Sequence, residues 1–183
     1  MRKVVLYHLL SLDGVASDPG EWFTDTGPEL IANLARVIGS QDDILLGRRT
    51  YDYWAEFWPT SDHEPFASFI NGTRKHVVTS STPTREWANT TVVKAPVAEY
   101  VSAMKQQSGG DIGIHGSIEL AGSLLRARFV DELRLVVAPV VVGHGRRVLD
   151  GDDPVQPIEL LDVQRSPKGT LFLAYGCPTQ ATA

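Results

Sequence analysis

Glycine followed by paired arginines is the feature of this sequence that most directly suggests chemistry. In Leu45-Leu46-Gly47-Arg48-Arg49-Thr50-Tyr51 an apolar run ends in glycine, and two guanidinium groups and a hydroxyl follow where a helical pattern begins. The start of a helix carries free N–H groups and the positive end of the macrodipole, so it favours an anion. Guanidinium adds a fixed charge and a fork that fits phosphate oxygens. Basic side chains at that end oppose the dipole, a local cost that a bound anion removes. The plain alternative is a turn with two solvated arginines.

Three further segments have related grammar. Val77-Val78-Thr79-Ser80-Ser81 puts hydroxyls at the end of a β-like run, where they can hydrogen-bond a phosphate or a ribose; the same residues are also ordinary turn chemistry. In Ile112-Gly113-Ile114-His115-Gly116-Ser117-Ile118, Gly116 lets a pyrophosphate approach the backbone and Ser117 can cap a helix and donate to the ligand. That segment lacks the three spaced glycines of the dinucleotide fingerprint and reads equally well as a tight turn with a cap. His115 reads as a packed or hydrogen-bonded side chain before it reads as a base. Gly143-His144-Gly145-Arg146-Arg147 is followed by no helical pattern, so it is a loop first, whose basic pair can meet an anionic substrate.

Other chemistries find little support. The five histidines show no paired ligand spacing, and no metal site is expected. Neither a G-x-S-x-G elbow nor a G-x-x-x-x-G-K-[ST] loop is present. The single cysteine, Cys177, lies beside Pro178 near the end of the chain and reads as an incidental thiol. Trp22, next to a long polar loop, can wall a pocket for a planar ligand.

The elements that must position these residues alternate between β and α. Strands are expected at 3–10, 43–46, 75–79, 90–93 and 112–115, and helices at 28–38, 48–57, 64–71, 97–107 and 117–128. Residues 11–27 form a long loop rich in Gly, Asp, Ser and Pro. From Val130 to Val142 a β-rich run is interrupted at Pro139, and 158–166 and 170–175 flank a hairpin turn at Ser166-Pro167-Lys168-Gly169. This order predicts an α/β fold: a three-layer α-β-α arrangement with a mainly parallel twisted sheet and C-terminal antiparallel edge strands. In such sheets ligands bind at the carboxyl ends of strands, where the junctions above fall.

With 183 residues the chain is expected to form one domain, 1–178, with a frayed tail at 179–183. A net charge of −5 argues against a nucleic-acid polymer, though not against a local basic pocket. No apolar run reaches the ~18 residues of a membrane span. The basic, apolar start runs into Asp13 without a small-residue cleavage pattern, so a cytoplasmic protein is expected.

Taken in order, SLDG, LLGRRTYD, VVTSS and IHGSIELAGSLLRARFVDELRLVVAPVVVGHGRRVL resemble the dihydrofolate reductase superfamily. The closer similarity is to the branch containing the reductase domain of the bifunctional riboflavin-biosynthesis deaminase-reductase. The resemblance runs from about Lys3 to Tyr175 and implies a reductase that binds NADPH across the carboxyl ends of the strands. It implies that Gly47, Arg48, Arg49 and Thr50 meet cofactor phosphates. Ser80 and Ser81 would lie near the adenosine ribose and its 2′-phosphate, with Arg49 pairing that phosphate and Thr79 beside them among the cofactor-binding residues. Gly116, Ser117 and Ile118 would cradle the pyrophosphate, with His115 and Glu119 also among the cofactor-binding residues, and Leu12 would enter the loop over the nicotinamide.

On the substrate side the set is Trp22, Ile31 and Tyr51. Ile31 occupies about the position where folate reductases carry an acidic residue, so pterin reduction is not expected. The expected reaction is hydride transfer to a C=N or C=O group of a small pterin-, pyrimidine- or ribose-containing molecule. Asp13, Glu29 or an ordered water are the proton-donor candidates, with a turn role as the alternative for Asp13. The rival readings are a true dihydrofolate reductase and an NADP-binding module without turnover. The branch also implies a homodimer, in keeping with the long apolar run at 133–142.

Overall fold

The computed structural model describes residues 1–150 and 155–178; the tail expected at 179–183 lies outside them. Among these residues one sheet has eight strands in the order β4-β3-β2-β5-β1-β6-β8-β7. In chain order they are β1 (Val4–Leu10), β2 (Gln41–Gly47), β3 (Arg74–Val78), β4 (Thr90–Val93), β5 (Asp111–His115), β6 (Glu132–Val137), β7 (Glu159–Arg165) and β8 (Leu171–Gly176). The helices are α1 (Pro28–Ile38), α2 (Arg48–Phe57), α3 (Phe66–Gly72), α4 (Val97–Gln106) and α5 (Ile118–Arg126). The expected α/β sheet with antiparallel strands at its C-terminal side is therefore what forms. From β4 to β6 every pairing is parallel, and the two antiparallel pairings are those of β8 with β6 on one side and β7 on the other.

The strands alternate in which face they bury. Val4, Leu6, Leu45, Ile112 and Ile114 pack under α4 and α5, with Leu120, Ala121, Leu124 and Leu125 completing that core. Ile44, Leu46 and Val77 face the other way, toward Tyr51, Ala55, Phe66 and Ile70 of α2 and α3. Val5, Tyr7, Val136 and Phe172 take Val37 of α1. Fully burying each of the larger aliphatic or Phe side chains is worth about 1.5–3 kcal/mol.

Local choices follow from particular residues. Helix α1 opens with Pro28, whose missing N–H has no partner to lose in a first turn. Helix α3 begins two residues later than expected and has its last turn closed by an unusual cap. The ammonium of Lys75, 0% exposed, donates to the carbonyls of Ile70 and Thr73 at 2.8 Å each and lies 4.5 Å above the ring of Trp87. Strand β6 is shorter than the apolar run that contains it, stopping at Val137. Pro139 has no N–H for a ladder, so residues beyond it leave the sheet and form a loop.

At the amino ends of β2 and β3, Asp43 is buried among donors. It accepts from Arg2 Nη2 at 2.6 Å and Arg74 Nη2 at 2.8 Å, and shares a proton with His76 Nε2 at 2.8 Å. Burial alone pushes this carboxyl up, but the hydrogen bonds from His76 and Arg2 outweigh it and hold the group below the usual range. Among the described residues no helix is long and apolar enough to cross a membrane.

Candidate functional site

At the opposite, carboxyl ends of the strands, a cleft of about 590 Å³ opens where β2, β3, β4 and β5 each hand the chain on. Gly47 ends β2 and α2 follows at once with Arg48, Arg49 and Thr50. Beside them Thr79, Ser80 and Ser81 leave β3, and Gly116, Ser117, Ile118 and Glu119 lead from β5 into α5. All eleven of these residues line the cleft.

Neither α2 nor α5 carries a side-chain cap. The hydroxyls of Thr50 and Ser117 do not fill that role. Ser117 Oγ instead accepts from the backbone N–H of Gly47 at 2.9 Å, tying the two junctions together. Its own proton is then free to donate outward. Gly116 has φ +68°, and a Cβ there would sit 2.7 Å from Cζ2 of Trp54. Only glycine serves at this turn, on both counts.

The charges have a definite layout. Arg48 Nε reaches Asp52 Oδ2 at 3.1 Å, and Asp52 Oδ1 accepts from the backbone N–H of Thr84 at 2.8 Å. Arg48 is thereby drawn toward the loop that carries Ser80 and Ser81. Arg49 points the other way and pairs with Glu119 at the start of α5. Arg146 Nη1 approaches the same Glu119 oxygen at 3.7 Å from the loop after β6. Lys94 lines the cleft from the end of β4.

Sequence reasoning passed over Lys94, although it stands between a strand ending at Val93 and a helix starting at Val97. That is the placing of the other junctions, without the glycine or the hydroxyls that marked them.

Several expected site residues lie elsewhere. His115 is 3% exposed and turned into the core, its Nε2 at 2.8 Å from Gln41 Oε1 and its ring packed by Tyr7, Phe66 and Phe69. Burial pushes its pKa down to about 3, so it is neutral near pH 7. Tyr51, expected at the substrate pocket, is buried against Trp87, because its place on α2 faces the sheet rather than the cleft. Leu12 and Ile31 are exposed outside the cleft walls. Trp22 donates from Nε1 to the carbonyl of Ser17 at 2.9 Å and stands edge-on to Phe23.

Neither proton-donor candidate lines the cleft. Glu29 occupies the first turn of α1, where a carboxylate suits the dipole. The Asp13 carboxylate accepts from Ser11 Oγ at 2.7 Å and from the backbone N–H groups of Val142 and Gly143 at 3.0 and 2.9 Å. The hydrogen bonds from Val142, Ser11 and Gly143, in that order, hold it well below the usual carboxylate range. Asp13 thus has no proton to give near neutrality, and the turn alternative describes its geometry. A second loop carboxylate, Asp25, is buried on the hydroxyls of Ser166 at 2.5 Å and Thr170 at 2.7 Å, binding the first loop to the β7–β8 turn.

Known proteins resemble this chain along most of its length. An uncharacterized protein of Bacillus subtilis, YwjB, is 27% identical over 147 residues, covering 79% of this chain and 80% of its own. A pyrimidine reductase-like protein from Corynebacterium diphtheriae superposes with a TM-score of 0.70 at 14% identity, covering 98% of this chain and 93% of its own. A third similarity is to a diaminohydroxyphosphoribosylaminopyrimidine deaminase/5-amino-6-(5-phosphoribosylamino)uracil reductase from Thermotoga maritima. It has a TM-score of 0.69 at 16% identity, and the match covers 97% of this chain but 57% of the other. At these identities the two structures speak for the fold. The family itself is shown by a model that matches residues 2–172: the chain belongs to the RibD C-terminal domain family.

Proposed function

We propose that this protein is an NADPH-dependent oxidoreductase acting on a C=N or C=O group of a small pyrimidine-, pterin- or ribose-containing molecule. The observation that carries the reading is the donor set of the cleft. Arg48, Arg49, Lys94 and Arg146 converge there with the hydroxyls of Thr79, Ser80 and Ser81 and two helix starts that lack side-chain caps. Such a set fits a ligand with several phosphates. When bound, NADPH supplies the hydride.

The chain's own residues hold the ends of the cofactor apart. Arg48 lies toward Ser80 and Ser81 and is the cation suited to a 2′-phosphate. Arg49, turned toward α5, suits the pyrophosphate together with Gly116, Ser117 and Ile118. This revises the pairing expected for Arg49. The uracil reductase named for the Thermotoga maritima relative supports a pyrimidine over a pterin.

Titration with NADPH and NADH, followed by a substrate panel, tests the proposal. Arg48→Ala should raise the Kd for NADPH by about tenfold or more and leave NADH nearly unchanged. Arg49→Ala should weaken both. If NADPH produces no thermal shift at millimolar concentration, the reading fails. A cytoplasmic location belongs to the same proposal, as the chain's one thiol suits a reducing compartment.

We further propose a homodimer formed through the sheet face at β6, β8 and β7. Leu160 and Val163 of the edge strand β7 and Leu171 of its neighbour β8 are exposed there, beyond the cover of α5. A second copy would bury them. Light scattering should report twice the chain mass, and Val163→Glu should halve it.

A further inference from the structure

The first loop and the loop after β6 are joined residue by residue. Leu12 N–H donates to the carbonyl of Val140 at 2.8 Å, Ala16 N–H to that of Arg146 at 2.8 Å, and Arg146 N–H to Ser17 Oγ at 3.0 Å. Val15 and Arg147 form an antiparallel bridge. Asp13 closes the far end of this seam. One of its oxygens accepts from Val142 N–H and the other from Gly143 N–H, while Arg147 Nε donates to its backbone carbonyl at 2.9 Å. Gly145 completes the fit: it has φ +117°, and a Cβ would lie 2.6 Å from Val15 Cγ1. Only one side chain of this clamped loop reaches the cofactor cleft, and it is Arg146.

We infer that Asp13 is a positioning residue, which holds the 142–147 loop so that the Arg146 guanidinium is presented to the cofactor cleft. The inference rests on the cofactor reading given above. Two adjacent backbone donors on one carboxylate fix both the position and the tilt of the loop, a constraint that a single acceptor does not impose. Arg146 needs this, since its own guanidinium is largely exposed and, among the described residues, pairs only with Glu119 across the cleft. Asn at position 13 keeps the shape but offers one oxygen, and its NH₂ then faces an N–H donor.

The test uses the full-length protein with Asp13→Asn, Arg146→Ala and the double variant. NADPH affinity is read by calorimetry and loop opening by amide hydrogen exchange. Asp13→Asn should speed exchange at 142–147 with or without cofactor, and should raise the Kd for NADPH by roughly fivefold or more while changing kcat less than KM. In the Arg146→Ala background Asp13→Asn should add nothing further to Kd. Ser17→Ala, a milder change, should move exchange and Kd in the same direction.

The idea is overturned if the two substitutions add independently. It is equally overturned if Asp13→Asn lowers kcat at unchanged NADPH affinity, or if the loop amides stay protected. Wild-type protein that binds no NADPH refutes the cofactor reading instead. In that event faster exchange at 142–147 in Asp13→Asn still supports the clamp, and unchanged exchange refutes it.

Discussion

Gly116 shows how much of this site rests on a single missing side chain. Its φ and the 2.7 Å approach of Trp54 act together, so Gly116→Ala must both strain the backbone and push an indole aside. The cost should be roughly 1–3 kcal/mol of stability, read from urea unfolding, with loss of cofactor affinity beyond that. Gly47 makes the contrast. Its backbone is extended, and its nearest neighbour to a new Cβ would be 3.8 Å away, so Gly47→Ala should fold normally. Both glycines were visible in the sequence as candidate phosphate turns, and their spacing could not tell them apart. The difference lies in the positive φ and in Trp54, far earlier in the chain, which only the folded packing brings into contact.

Among the elements, α3 is the one whose existence was legible and whose stability was not. Its apolar residues marked a short helix stopped near Gly72, yet nothing in the local pattern announced that Lys75, on the next strand, would cap it from the interior. Burial pushes the Lys75 ammonium down to about 8, so near pH 7 it is mostly charged and its donors face the helix carbonyls. Lys75→Ala should cost roughly 2–4 kcal/mol by leaving those carbonyls unpaired and a void beside Trp87; urea midpoints would show it. Element boundaries elsewhere followed the sequence within a few residues. Strand β6 was the larger departure, because an apolar run can serve a strand and a docked loop alike, and Pro139 decides between them.

At the scale of the molecule, pH acts through groups hidden on both sides of the sheet. Burial pushes His8 down to about 4 and His115 to about 3, whereas in the unfolded chain both titrate near 6.5. As the pH falls below 6.5 the unfolded chain binds protons that the native state refuses, so stability must drop. The slope should approach about 1.4 kcal/mol per pH unit for each histidine until the native values are reached. Below about pH 4 the carboxylates of Asp13, Asp25 and Asp43, all held below their ordinary range, add to the loss. Urea midpoints measured from pH 7.5 to 4 should therefore fall, and Asn or Gln in place of His115 should flatten part of the curve.

The order of the last strands bears on how the protein is made. Among the described strands β8 comes last in chain order yet lies inside the sheet, and β7 reaches the sheet only through it. Until Leu171–Gly176 has left the ribosome, β6 has no partner on that side and β7 has nowhere to pair. A message truncated just after the β7–β8 turn would thus lose two strands rather than one and release an open β6 edge ready to pair with another chain.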